Sequence, residues 1–395
     1  MKYRIETERA DLFDVNIVIA MNVRLEMEVP FEMLEEAFYK ACKCHEVLQS
    51  RIIIDESGEA FYVDNSEPQN SITKTELSYT ELIYENERRR FRIEKGEYIR
   101  AFQSPDGLVF LMHHLGGDGK SLLYFIETFM KCLAGQECEY VPFRNLKLDD
   151  LPAECKLPFF YKLLIKSWNK GWAKDRKVFG FKEMDEAYNK FWKNNKSKVE
   201  IKRYEKADLK ATLKSAKAAG VSLTSYLITD MIKDTDSKLE IGLAVDGRQD
   251  SNRAMGNQVT GIAIKYGYDK KKSFEDNAKE VHSLLQTRLK NDRYRYFVLQ
   301  FMGMLDMTMK DALNLDRAGY FRSKISSDVA EILGYGKKVR DISITNLTRA
   351  DIALNYGEHT ISEIVFVPPI VSYAKNVIGI ITTDDVMYVT RHIYE

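Results

Sequence analysis

His113-His114-Leu115-Gly116-Gly117-Asp118-Gly119 follow directly on an apolar run, Gly107 to Met112, and precede an amphipathic stretch, Ser121 to Leu133, that stops at Gly135. These segments predict a strand, a glycine-bearing loop and a helix. An imidazole at the mouth of such a strand is held rigidly, and the glycines leave it reachable. Regular alternation along the strand puts His113 and His114 on opposite faces. Gly116 and Gly117 read equally well as an ordinary turn.

Upstream of the loop, Asp14 to Met27 alternates as a strand does, with Val15, Ile17, Ile19 and Met21 on one face. Pro30 opens a helix over Phe31 to Cys44 whose apolar stripe is Phe31, Leu34, Ala37, Phe38 and Ala41. Strand signals recur at Arg51 to Asp55, Ala60 to Val63 and Ile99 to Gln103. Downstream, from Leu148 to Lys198, the pattern weakens and Trp168, Trp172, Phe179, Phe181 and Trp192 alternate with lysines. The chain therefore divides into a first lobe over 1–160, a connector over 161–198 and a second lobe over 199–395. The second lobe opens with a strand at Val199 to Tyr204 and helices at Ala207 to Ala219 and Leu223 to Lys233, the latter capped by Ser222. Strands at Leu239 to Val245 and Gln258 to Tyr266 precede two long helices, Phe274 to Leu289 and Tyr294 to Leu313. Four late strands follow at Asp341 to Leu347, Thr360 to Val367, Val377 to Thr382 and Met387 to His392. Each lobe reads as an α/β sandwich of strands with packed helices.

With 59 Lys and Arg against 59 Asp and Glu in 395 residues, the zero net charge argues against whole-protein attraction to nucleic acid. Tyr161 to Lys217 is the exception, with 17 basic against 7 acidic residues. It reads as a solvated helical face, or as a landing surface for the phosphates of coenzyme A, an acidic carrier protein or a membrane. Pro158 to Lys174 is amphipathic within it, an interlobe helix or a membrane contact. Five cysteines, Cys42, Cys44, Cys132, Cys138 and Cys155, suit reduced thiols in a cytoplasm. Cys42-Lys43-Cys44-His45 lacks a second ligand pair, so no metal site is expected. No leader and no apolar run of about 20 residues is visible, which predicts a soluble cytoplasmic protein.

The motif and its neighbours resemble the H-H-x-x-x-D-G acyltransferase superfamily, which includes condensation domains of nonribosomal peptide synthetases, alcohol acyltransferases and chloramphenicol acetyltransferase. Cys44 to Arg51 is similar to its R-H-x-x-L-R-x-R segment, with Cys44 and Gln49 replacing arginines. Val221 to Ile232 is similar to its V-T-x-x-x-x-L helix start, Asp246-Gly247-Arg248 to its Gly-Arg element, and Asp341 to Asn346 to its S-N strand. The resemblance spans nearly the whole chain. It implies two chloramphenicol-acetyltransferase-like lobes in a V, with a tunnel between them that a donor thioester and an acceptor enter from opposite sides.

Under that resemblance His114 takes the place of the general base, a duty that suits an imidazole with an unperturbed pKa of about 6.5. His113 is expected to be packed. Asp118 is expected to turn away and pair with a second-lobe arginine, for which Arg248 is the candidate. Gly119 permits a backbone angle or a close approach. Candidate oxyanion or substrate contacts are the Gly119 amide, Thr345 and Asn346. No G-x-S-x-G elbow is present, so direct transfer is expected rather than an acyl-enzyme.

Met255-Gly256-Asn257-Gln258 looks more like the G-N element of members that use coenzyme A than the V-G-x-F-x-N of peptide-forming domains. Leu354-Asn355-Tyr356-Gly357 stands near the place of the plant D-F-G-W-G element, which is absent. The expectation is a free-standing acyltransferase with no permanently bound cofactor, which uses acyl-CoA and a small-molecule acceptor bearing a hydroxyl or amine. The alternatives are a condensation enzyme served by an acyl or peptidyl carrier protein, and a catalytically silent binding homologue. Met302, Met304, Met307 and Met309 read as an acyl-channel lining or as core.

Overall fold

Val18–Leu25 pairs antiparallel with Gly107–His113, Val18 opposite His113 and Val23 opposite Leu108, so the histidine loop leaves the middle of a sheet. The structure is a computed structural model describing residues 2–248, 250–335 and 339–395. Val18 to Val23 are buried throughout, because both faces of this central strand are covered. The first sheet has the order Asn355–Tyr356, His359–Val367, Val18–Leu25, Gly107–His113, Ile99–Ser104, Ser71–Lys74. Helices Phe31–Cys44 and Gly119–Leu133 pack on it, with Phe38 and Phe125 meeting edge to face at 5.9 Å.

The second sheet also has six strands, in the order Val259–Tyr266, Leu239–Asp246, Ile342–Arg349, Asn376–Thr383, Val386–Tyr394, Ser197–Tyr204. Its core holds Leu227, Ile228 and Val281 from helices Leu223–Ile232 and Phe274–Leu289 against Ile241, Ile262 and Ile344. A small third sheet joins Lys2–Arg4, Ala60–Asp64 and Ser50–Ile54. The class is the expected mixed α/β, with two sheet-centred lobes.

The lobe boundaries drawn from sequence need correction. His359–Val367 lies within 199–395, yet it pairs with Val18–Leu25 in the first sheet, Val367 opposite Ala20 and Ile361 opposite Leu25. Its run Ile364-Val365-Phe366-Val367 is apolar on both faces and completes the buried centre of that sheet. Phe301, Leu313 and Val329, on helices Phe297–Met304, Met307–Arg317 and Lys324–Leu333, also join the first-lobe core.

The connector 161–198 is likewise packed. Helix Phe159–Asp175 buries Trp168 and Trp172, and helix Phe181–Asn194 buries Met184, Tyr188 and Trp192, each set at i, i+4 spacing on one apolar face. Trp172 Nε1 donates to Thr308 Oγ1 at 2.9 Å and Trp192 Nε1 to the Val15 carbonyl at 2.8 Å. The helix expected from Tyr294 to Leu313 is broken at Asp306, whose carboxylate accepts from the Thr308 amide and hydroxyl at 2.9 and 2.6 Å. The four methionines therefore point apart: Met302 lines a cavity, Met309 is core, Met307 is half-buried and Met304 is exposed.

Candidate active site

His113 ends its strand buried against Phe91, and its Nδ1 accepts the Leu115 amide at 3.1 Å. Burial, with His114, Arg90 and Arg100 adding to it, pushes the His113 imidazole down to about 3. It is a neutral packing residue. His114 begins the short turn His114–Gly116, anchored by its amide to the Ile17 carbonyl at 3.0 Å. Its Nδ1 is buried without a hydrogen bond among the described residues and faces Asp11 Oδ2 at 3.8 Å. The His114 side chain as a whole keeps 16% of its surface exposed.

Asp11 lies in the turn Arg9–Asp11, far from the motif in sequence. The turn is pinned from beneath by a buried ion pair, Arg9 Nε to Asp311 Oδ1 at 2.9 Å. Asp11 Oδ2 also accepts Asn257 Nδ2 at 2.7 Å. Burial raises the Asp11 carboxyl above the ordinary range, against the opposing influence of His114 and Asn257. No spacing signal in the sequence connects Asp11 or Asn257 to His114.

A cavity of about 450 Å³ opens beside this pair. Asp11, Ile17 and His114 line it from the first lobe; residues 242–244, 259–261 and 343–345 line it from three adjacent strands of the second sheet. Tyr161, Trp168 and Phe297 complete an apolar wall. The cavity thus lies between the lobes and is mostly apolar, with few polar groups converging on it.

Asp118 is fully buried and does not line the cavity. It caps Gly119–Leu133, accepting the Ser121 amide at 2.8 Å, and takes a two-pronged bond from Arg248, Nη1 to Oδ2 at 2.9 Å and Nη2 to Oδ1 at 3.1 Å. The Gln258 amide adds a bond to Oδ2 at 3.0 Å. Ser121 Oγ donates to the Gly256 carbonyl at 3.0 Å, and Lys120 pairs with Asp246 at 2.9 Å. The loop after the motif is thereby tied to the second-lobe loops 246–248 and 256–258.

Gly119 meets close packing: a Cβ there would lie 3.1 Å from Leu347 Cδ2 and 3.5 Å from Phe366 Cζ. Its backbone angle is not in the left-handed region. Thr345 lines the cavity. Asn346 does not, because strand alternation turns it to the helix side, where Nδ2 donates to Thr224 Oγ1 at 2.8 Å and Oδ1 accepts the Thr348 amide at 2.7 Å. Asn346 is therefore withdrawn as a substrate contact. His45, of the Cys44 to Arg51 segment, is buried with Nε2 3.0 Å from Thr128 Oγ1, and burial lowers it to about 4.

Among the described residues no group of three or more His, Cys, Asp and Glu side chains could hold a metal ion. No described helix is long and apolar enough to cross a membrane.

No protein-family model and no curated protein matches the chain. Solved structures do. The trichothecene 15-O-acetyltransferase TRI3 from Fusarium sporotrichioides superposes with a TM-score of 0.66 at 11% identity, over 99% of this chain and 90% of that one. The first condensation domain of the CDA synthetase gives 0.62 at 12%, over 98% and 87%. Polyketide synthase associated protein 5 from Mycobacterium tuberculosis gives 0.59 at 11%, over 99% and 92%. At such identities the likeness establishes the fold, the two-lobed chloramphenicol-acetyltransferase-like architecture of condensation domains and acetyltransferases.

Proposed function

We propose that this chain transfers an acyl group from a thioester to a hydroxyl or amine, with His114 as the general base. The observation that carries the reading is the placement of His114. Its Nδ1 edge is buried toward Asp11, and its ring borders a cavity walled by both lobes. In the step envisaged, His114 Nε2 removes the acceptor's proton as its oxygen or nitrogen attacks the thioester carbonyl. The tetrahedral intermediate then collapses, the carbon–sulfur bond breaks, and the imidazolium returns the proton to the departing thiolate. In this reading Thr345, which lines the same cavity, is the candidate donor to the oxyanion, and Asp118 and Arg248 hold the loop without touching substrate.

Coenzyme A is the donor carrier favoured by the Gly256-Asn257 element. A carrier-protein thioester is the second reading, favoured by exposed Lys166, Lys170 and Lys174 on the helix that lends Tyr161 and Trp168 to the cavity. The test is thiol release from a panel of acyl-CoAs, and from the same acyl groups on a carrier protein, with alcohol and amine acceptors. His114→Ala is expected to reduce release about 10²- to 10⁴-fold. Release by neither protein with any donor and acceptor marks a silent binding homologue and ends the transferase reading.

A further inference from the structure

On the second-sheet wall of the cavity, a cation and a hydroxyl converge on one point, neither side chain hydrogen-bonded to any of the described residues. Gly242 and Ser343 stand opposite each other in the parallel register of Leu239–Asp246 and Ile342–Arg349. The missing side chain at Gly242 leaves room for Arg340 to lie across the strand. A Cβ at 242 would be 3.0 Å from Arg340 Cδ, 3.1 Å from Nη1 and 3.4 Å from Ser343 Oγ. All three residues line the cavity.

Ser343 Oγ is buried with no hydrogen-bond partner among the described residues. Among the same residues, Arg340 has an ion pair with Glu240 alone, 4.0 Å from Nε and outside hydrogen-bond reach, and Glu240 is shared with Lys265 at 3.2 Å. The guanidinium rests against the Tyr373 ring at 5.4 Å, and the Arg340 amide donates to the Tyr373 carbonyl at 3.2 Å. The group is thus positioned by the fold while its Nη donors take no hydrogen-bond acceptor among the described residues. A rigid guanidinium fork beside a free hydroxyl, in a mostly apolar chamber, matches the two oxygens of a carboxylate or phosphate and discriminates against neutral groups.

We propose that Arg340 and Ser343 form an anion-binding subsite that holds a carboxylate or phosphate of one of the two substrates. This deepens the acyl-transfer reading and rests on it for calling the occupant a substrate. Two sources share the chemistry: the phosphates of coenzyme A, and a carboxylate on the acceptor or the acyl group.

Isothermal titration of the full chain separates them, with coenzyme A against pantetheine, L-leucine against leucinamide, and octanoate against octanamide. At least one anionic probe is expected to bind, with Arg340→Met weakening it about tenfold or more and Ser343→Ala several-fold. The counterparts that lack the phosphate or carboxylate are expected to bind alike to all three proteins. A response confined to coenzyme A assigns a phosphate, and one confined to leucine or octanoate assigns a carboxylate. Arg340→Lys, which keeps the charge and loses the fork, replaces Arg340→Met if the latter melts early.

The proposal is overturned if no anionic probe binds, or if the Arg340 variant binds them with wild-type constants. His114→Ala separates the two readings, since it leaves anion binding intact. Turnover lost in His114→Ala together with unchanged binding in Arg340→Met removes the subsite alone. Turnover surviving in His114→Ala removes the transfer reading while the binding comparison still stands.

Discussion

Under the proposed transfer the His114 imidazole would acquire a positive charge in place, and Asp11 is the carboxylate that faces its Nδ1, at 3.8 Å. Asn257 holds the same carboxylate oxygen from the second lobe, so the position of Asp11 beside His114 depends on both halves of the molecule. Asp11→Asn keeps the shape and an acceptor for Asn257 and removes only the charge. Its expected effect is a fall of about 10- to 100-fold in kcat with KM and melting temperature little changed; an equal rise in KM would assign Asp11 to substrate binding instead. Glu8, one helical turn earlier in the chain, offers a pH test. Burial raises its carboxyl to about 7, against about 4.3 in the unfolded chain. Between those values the unfolded chain releases the proton that the folded chain keeps, so stability falls as pH rises from about 4.3 toward 7 and then levels. Glu8→Gln removes that loss. Its stability relative to wild type should grow by about 3 kcal/mol between pH 4.5 and pH 8 in urea titrations, whereas a constant difference would show that Glu8 does not titrate as described.

At the scale of elements, the working unit is the join between the start of helix Gly119–Leu133 and the second-lobe loops. Asp118, buried and paired with Arg248, belongs to that join. Removing one partner strands the other charge, so Asp118→Ala and Arg248→Ala are each expected to cost about 3 to 5 kcal/mol in urea unfolding, and the double variant clearly less than their sum. Additive losses would mean that the pair is not coupled. This join was readable because its residues sit in short local patterns, H-H-x-x-x-D-G and Gly-Arg. Phe31–Cys44 and Phe274–Leu289 were legible for a similar reason, an uninterrupted apolar period with clear ends. Tyr79–Glu87 is hard to read from sequence, although Ser78 and Glu81 form the reciprocal cap that starts it, because only nine residues carry its pattern. Asp306 broke an expected helix because a cap can interrupt apolar periodicity without disturbing it. Asp11, Arg340 and Ser343 were invisible as site residues, since only tertiary packing brings them to His114's cavity.

For the whole molecule, the two sheets were legible as alternating strand signals, but their membership was not. A strand's sequence states how much of it is buried, not which sheet will bury it. His359–Val367 leaves the second sheet after Ile342–Arg349, inserts beside Val18–Leu25, and the chain then returns to form Asn376–Thr383. Thr390 Oγ1 donates to the Phe366 carbonyl at 2.7 Å and His392 Nδ1 lies 2.8 Å from the Pro368 carbonyl, which fastens the crossing strand to the second sheet as well. The first lobe therefore cannot complete its core from its own stretch of chain. Expressed alone, residues 1–198 would leave one hydrogen-bonding edge of the central strand Val18–Leu25 unpaired and would lack the buried side chains of Phe301, Leu313 and Val329. Such a fragment is expected to be aggregated or loosely packed, with dispersed side-chain signals absent from its proton spectrum. The intact chain should then unfold in one calorimetric transition shared by both lobes, with its van't Hoff and calorimetric enthalpies agreeing. Two separated transitions, or a soluble and well-dispersed 1–198 fragment, would show that the lobes fold independently and that the crossing strand fastens two finished domains.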